Sequence, residues 1–292
     1  LQPAPEVHLR RATPADAEAC GRICFDAFSK ISTDHSFPPD FPSTDVAQGV
    51  LGMMFSHPSH YCVVAEVDGR ILGSNCLYEA GSIVGIGPIT VDPAVQNRRV
   101  GRALMEAVME RARERNAVGV RLVQAAFHNR SLSLYTLLGF DTREPLSCMQ
   151  GPPIVKVTAK SIDGCSVRPA EARDADACNA LCRRVHGHDR AGELADAIGK
   201  SAVVAERHGR ITAYATSLTF FGHSVAESNL DLEALIASAE SFGGPGILVP
   251  TRNAELFRWC LTHGLRVVQP MTLMTMGLYN QPAGAWLPSI LY

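Results

Sequence analysis

Ile89-Thr90-Val91-Asp92-Pro93-Ala94-Val95-Gln96-Asn97-Arg98-Arg99-Val100-Gly101-Arg102-Ala103 passes from a β-branched triplet, through a polar loop, into an amphipathic segment. Beyond it Leu104, Met105, Val108, Met109 and Ala112 continue the apolar face begun by Val100, with charges between them. That spacing predicts a helix from about Val100 to Asn116, entered from a strand over Ser82–Val91. A strand that turns through a short loop into a helix start aims unpaired backbone N–H groups, at the positive end of the helix dipole, into the loop. Such a place binds phosphate, and Arg98, Arg99 and Arg102 would add charge-assisted donors. By charge alone the same arginines read better as a solvated helix start, so the neighbouring sequence decides.

Working outward, Val7–Arg11 reads as a strand, Pro14–Phe28 as a helix and Ser43–Ser56 as a second helix after a Pro-rich loop. Strands follow at Tyr61–Val67 and Ile71–Glu79, joined by an Asp68-Gly69 hairpin turn. Downstream come strand Gly119–Ala126, helix Asn129–Leu138 and strand Thr142–Met149. This order predicts an α+β fold, a mixed and mostly antiparallel twisted sheet flanked by helices.

The chain then repeats itself. Arg10 to Cys24 aligns with Arg168 to Cys182, and Val63 to Ile71 (V-V-A-E-V-D-G-R-I) aligns with Val203 to Ile211 (V-V-A-E-R-H-G-R-I). Gly139-Phe140 pairs more weakly with Gly264-Leu265. The offset shrinks from one match to the next, so the second copy has lost chain, first between its first helix and the strand at Val203 and then where the polar loop belongs. The expected organisation is a first domain over 1–150, a linker over 151–164, a degenerate second domain over 165–278, and an apolar tail, 279–292, docked on a domain.

Twenty-seven basic residues against 29 acidic ones leave a charge of −2, which offers no field for nucleic acid or an anionic membrane. No apolar run reaches membrane-spanning length. Nine scattered cysteines without a Cys-x-x-Cys pair read as small apolar core residues of a cytoplasmic protein rather than as disulfides or a metal site.

Ile89-Thr90-Val91-Asp92-Pro93, then Gln96-x-x-Arg99-x-Gly101-x-Ala103, then Asn129…Ser133-Leu134-Tyr135…Leu138-Gly139-Phe140 resemble, in order and spacing, the GNAT N-acetyltransferase superfamily. The resemblance covers most of residues 7–150 and implies a tandem of two GNAT-like domains with acetyl-CoA as co-substrate and no metal. It implies that the backbone of Ile89, Thr90 and Val91 meets the pantetheine arm. Gln96, Asn97, Arg98, Arg99, Val100, Gly101, Arg102 and Ala103 would cradle the pyrophosphate, Asn129 would contact the pantetheine or steady the loop, and Ser133 would join the cofactor-binding residues. Arg99 stands where the family has its first glycine, a replacement the backbone accepts at negative φ.

The same resemblance makes Tyr135 the acid for a leaving thiolate, since a phenol stays protonated at neutral pH. The strand Ile86–Thr90 carries no carboxylate, so Glu79, His128, ordered water or the terminal carboxylate of Tyr292 remain as bases. Between the first two helices, His35, Phe37, Asp40 and Phe41 offer an aromatic and polar surface for the acceptor, a small-molecule amine or an exposed amino group. In the second copy Trp259-Cys260 takes the place of the tyrosine. A non-catalytic acyl-CoA-binding or sensing protein is the alternative reading.

Overall fold

The computed structural model describes residues 7–95, 99–154 and 164–291. They group into two compact units, Leu1–Leu122 with His128–Gly139, and Val123–Phe127 with Phe140–Tyr292.

The first unit runs β1 (His8–Arg11), α1 (Ala17–Asp34), α2 (Thr44–Ser56), β2 (His60–Val67), β3 (Arg70–Tyr78), β4 (Ile83–Ile86), β5 (Thr90–Val91), α3 (Val100–Glu114), β6 (Gly119–Ala125, of which Val123 onward groups with the second unit) and α4 (Asn129–Leu137). Strands β1 to β4 pair antiparallel in sequence order, β4 pairs β6 in parallel, and β5 returns to β3. Asp68 and Gly69, at φ 50° and 75°, make the two-residue turn between β2 and β3. The apolar stripe of α3 is buried from Val100 to Ala112, as its spacing requires. Helices α1 and α2 approach so closely at Gly21 that a β-carbon there would stand 2.5 Å from the Gln48 Cα.

Three details differ from the sequence reading. Helix α1 continues to Asp34, six residues past the expected end, and takes the first residues of the Pro-rich loop with it. The single strand expected over Ser82–Val91 is broken into β4 and β5 at Gly87-Pro88, where Gly87 has φ 143° and proline has no N–H to give a ladder. Cys62 and Cys76, expected as free thiols, stand opposite one another in the β2/β3 ladder with Cα atoms 4.1 Å apart and are joined as a disulfide. Cross-strand register, invisible in the linear spacing, brings them together.

The second unit begins with β7 (Asp141–Gln150) and continues through β8 (Cys165–Pro169), α5 (Ala175–His186), α6 (Ala191–Ala197), β9 (Val203–Arg207), β10 (Arg210–Ala215), β11 (Ser224–Ala226), α7 (Asn229–Ala237), β12 (Ile247–Pro250), α8 (Ala254–Thr262), β13 (Arg266–Gly277) and β14 (Ala285–Leu287). One sheet has the order β14-β11-β10-β9-β8, with the tail strand β14 on its edge and Trp286 buried. In the other, β7 lies between β13 and β12, antiparallel to both. By sequence β7 closes the first repeat, yet its ladder partners both come from the second, and by contacts it groups, with Val123–Phe127, in the second unit.

The repeat is legible in side chains. Arg10 reaches Asp16 at 2.7 Å and Glu66 at 2.6 Å, and Arg168 reaches Asp174 at 2.7 Å and Glu206 at 2.6 Å. Each aspartate also accepts the backbone N–H of the residue three before it, Thr13 or Glu171, and is held down at about 2, chiefly by the arginine hydrogen bond.

Candidate functional site

The site assembles where β4 leaves β6. Their parallel ladder holds for Ile83↔Gly119, Val84↔Val120 and Gly85↔Arg121, after which the chain turns at Gly87-Pro88 and β5 pairs with β3 through Thr90 and Val91. A parallel pair that parts in this way leaves main-chain groups open for an extended ligand. Ile89 is half-buried and Thr90 is buried, its hydroxyl 3.5 Å from that of Ser74.

From β5 the chain enters α3. Gln96, Asn97 and Arg98 lie outside the described residues. Arg99, the N-cap of α3, is left-handed at φ 62°, ψ 6°. The negative φ expected of it is therefore wrong: the backbone keeps the conformation that glycine favours and carries an arginine in it. The cap has no side-chain hydrogen bond, and the N–H groups of Val100, Gly101 and Arg102 precede the first-turn bond from Ala103 N–H to Arg99 C=O. Gly101 faces Val91 and Leu134, whose nearest methyls would stand 3.6 and 4.0 Å from a β-carbon placed there. That contact brings α4 beside the start of α3. Arg102 does not reach across; it is exposed and pairs with Glu106 on its own helix at 2.8 Å.

His128 is the N-cap residue of α4, again without a side-chain cap, and Asn129 and Ser133 are exposed, the Ser133 hydroxyl donating to the Asn129 carbonyl at 2.8 Å. Helices α1, α2, α5, α6, α7 and α8 each carry an acidic residue in the first turn. Helices α3 and α4 carry none. Among the described residues, the two helices that meet at Leu134 and Gly101 thus bring no acid of their own to their positive ends, an arrangement that fits a pyrophosphate.

Tyr135 is buried within α4, and burial pushes its phenol up to about 12 against a weaker opposing hydrogen bond from Ser131. The Ser131 hydroxyl also lies 2.5 Å from His128 Nδ1. Burial lowers the His128 imidazole below its ordinary value, with Arg130 and His35 contributing in the same direction, so it is neutral at pH 7. Ser131, the link between tyrosine and histidine, was missed from sequence. Its signal was its place three after one candidate and four before the other, both spacings that face one another on a helix.

The acceptor-loop residues are partly drawn together. His35 ends α1, its Nδ1 2.9 Å from the Ile31 carbonyl, and is close enough to act on His128. Phe37 N–H donates to the Ser32 carbonyl at 2.8 Å, and Asp40 is half-buried and acts on the Cys24 thiol. Phe41 packs edge-on against Phe28 of α1 with ring centroids 5.6 Å apart, which gives it a packing role.

Glu79 is not brought to this group. Arg111 grips both its carboxylate oxygens at 2.9 Å, about three turns along α3 and roughly 16 Å from the helix start at 1.5 Å per residue. Burial alone would raise its pKa, but the Arg111 hydrogen bonds and charge outweigh that and lower it. A carboxylate held so is a structural anchor, and its expected role as base is withdrawn. The terminal carboxylate of Tyr292 lies outside the described residues. Among the described residues no cluster of His, Cys, Asp and Glu is placed to hold a metal ion, and no helix is long and apolar enough to cross a membrane.

Residues 26–140 match the family model described as the acetyltransferase (GNAT) family. A solved structure from Pyrococcus horikoshii, classed as an acetyltransferase, shares 17% identity and a TM-score of 0.74, covering 100% of this chain and 95% of that one. A tandem GNAT protein from the clavulanic acid biosynthesis pathway shares 14% identity and a TM-score of 0.53, covering 93% of this chain and 98% of its own. At these identities the likeness is one of fold, and it extends over both repeats. No curated protein sequence matches the chain.

Proposed function

We propose that this chain, whose residues 26–140 match the GNAT acetyltransferase family model, moves an acetyl group from acetyl-CoA to a primary amine of a small molecule or to an exposed amino group. The observation that carries this reading is the pair of uncapped, acid-free helix starts at α3 and α4, set beside the parting of β4 from β6. The open amides of Val100, Gly101 and Arg102 would take the pyrophosphate, and the main chain from Ile89 to Val91 the pantetheine arm. Acetyl-CoA supplies an acyl carbon activated by a thiol leaving group.

The protein's own residues then manage protons. Tyr135, protonated throughout the neutral range, donates from its phenol to the leaving sulfur. His128, neutral at pH 7 and beside the loop that carries His35, Phe37 and Asp40, accepts the proton that the acceptor nitrogen must lose. His35, Phe37 and Asp40 would face the acceptor, with Phe41 holding their loop onto α1.

Calorimetry tests the reading. Acetyl-CoA should bind once per chain, and replacing Arg98, Arg99 and Arg102 together by alanine should weaken binding by about 10-fold or more through lost charge-assisted contacts. Free-thiol release against a panel of amines would then identify the acceptor. Absence of heat with the wild-type protein would sink the assignment.

A further inference from the structure

On the surface of an α-helix, residues three and four apart stand one above the other. At the start of α4 this places three proton-carrying groups in one file: the His128 imidazole at the cap, the Ser131 hydroxyl one turn in, and the Tyr135 phenol one turn further. Ser131 Oγ is 2.5 Å from His128 Nδ1 and hydrogen-bonds the Tyr135 side chain. We propose that Ser131 joins Tyr135 to His128 in a single proton relay, so that the base and the acid of acetyl transfer are the two ends of one hydrogen-bonded file. This rests on the roles given above to His128 and Tyr135; what it adds is Ser131 as a positioning residue and the coupling between them.

The step balances. As the bond from the acceptor nitrogen to the acyl carbon forms, the carbon–sulfur bond breaks and its electron pair stays on sulfur. Tyr135 gives its phenolic proton to that sulfur, while His128 Nε2 takes a proton from the nitrogen. The imidazolium passes its Nδ1 proton to Ser131 Oγ, and Ser131 passes its own to the tyrosine oxygen. Tyrosine and serine end as they began, and the imidazole ends neutral with its proton on the other ring nitrogen. Exchange with solvent resets that tautomer.

Three features of the site suit such a relay. The phenol is buried, so direct return of its proton from bulk water is hindered and a neighbouring hydroxyl is the nearer source. Arg130, on α4 itself, and His35, at the end of α1, are the groups whose charge bears on the imidazole, and both favour its neutral, proton-accepting form. Serine carries one donor and two acceptor positions on a hydroxyl that rotates, so it can accept from one neighbour while donating to the other.

The test combines the ligand-free protein with turnover. Imidazole nitrogen NMR on ligand-free protein should show His128 changing tautomer balance and titration midpoint in Ser131→Ala, and returning toward wild type in Ser131→Thr, which restores a hydroxyl. With acetyl-CoA and an amine, Ser131→Ala should lower kcat by about 10²-fold, leave KM for acetyl-CoA within about 2-fold and displace the acid limb of the pH profile. Ser131→Thr should recover most of the rate. Ser131→Ala at wild-type rate, while His128→Gln is inactive, would overturn the relay and leave His128 as base. Wild-type rate in His128→Gln would overturn both. A slow Ser131→Ala with unchanged His128 resonances and no rescue by threonine would reduce Ser131 to packing and overturn the relay.

Discussion

Helices α3 and α7 follow the corresponding strands of the two repeats, and they begin in opposite ways. Helix α3 starts from a left-handed arginine with no cap and no acid in its first turn. Helix α7 starts from Ser228, whose hydroxyl accepts the Asp231 N–H at 3.3 Å and donates to the Asp231 carboxylate at 2.6 Å. Asp231 in turn takes Arg207 Nε at 3.1 Å and the Thr212 hydroxyl at 2.9 Å. The second copy places a buried carboxylate at the helix end that corresponds to the proposed phosphate site of the first. An anion site is removed most firmly when the protein supplies the anion.

The strand before each helix repeats the contrast. Gly73 pairs Val91 in the first copy and Ala213 pairs Ala226 in the second, so His223 holds the register place of Pro88. Where the first copy breaks its strand, the second inserts a fully buried imidazole. His223 Nε2 is 3.0 Å from the Tyr214 hydroxyl and Nδ1 is 3.0 Å from Glu193, which Arg190 grips at 2.7 Å. Burial drives His223 down to about 4, while Glu193, pushed up by burial but pulled further down by Arg190 and His223, stays near 2. A neutral histidine between a phenol and a carboxylate is packed and satisfied, a core where the other copy has its proposed site.

The largest effect should come from the residue at which the copies differ in chemistry. Tyr135→Phe removes the proposed acid and should lower kcat by about 10²- to 10⁴-fold, with acetyl-CoA affinity in calorimetry nearly unchanged. Cys260 holds the corresponding place before Gly264-Leu265 and is fully buried in the second unit's core. Cys260→Ala should cost stability and leave turnover per folded molecule as it was. Equal losses of turnover in the two variants would break the division into a working copy and a scaffold.

Where the copies agree, they should respond alike. Asp16 and Asp174 are both depressed from 3.8 to about 2. A depressed carboxylate stabilises the fold fully above its unfolded pKa, and that contribution is lost as pH falls from about 4 through about 2. The shift corresponds to roughly 2 kcal/mol at neutral pH for either residue. Asp16→Asn and Asp174→Asn should therefore lower stability by similar amounts in denaturant melts at pH 7 and by little near pH 2. A strongly unequal pair would show that the shared frame is energetically one-sided.

What could be read from the chain followed periodicity and local chemistry. The α3 stripe, the Asp68-Gly69 turn and the Arg10/Arg168 repeat announce themselves because each depends on residues close in sequence or on one regular spacing. The rest depended on partners far apart. Glu79 looked available until Arg111, 32 positions away, was found on both its oxygens. Cys62 and Cys76 needed the register of two strands to become a pair. Strand β7 was recognised as a strand, but nothing in its residues says that β12 and β13 will flank it. Gly87-Pro88 is the exception: proline inside a predicted strand is a local signal for the break seen there.

The smallest expected effect probes the point at which the first copy departs from the family pattern it resembles. Arg99 holds a left-handed backbone that costs an L-residue about 1–2 kcal/mol; glycine would remove that cost, and its greater freedom when unfolded would cancel part of the gain. Arg99→Gly should thus raise stability by up to about 1 kcal/mol, a rise in Tm of roughly 2 °C for a chain of this size. The same change removes a guanidinium from the α3 start, so acetyl-CoA affinity should fall by a few-fold, about 1 kcal/mol. Stability and affinity moving in opposite directions would mean that the arginine is kept against backbone preference for its charge. If both fell, Arg99 would be contributing to the fold as well, and the left-handed strain would not be its governing term. If affinity held while stability rose, the helix amides alone would carry the phosphate, and the contrast with α7 would rest on Asp231 rather than on any arginine of the first copy.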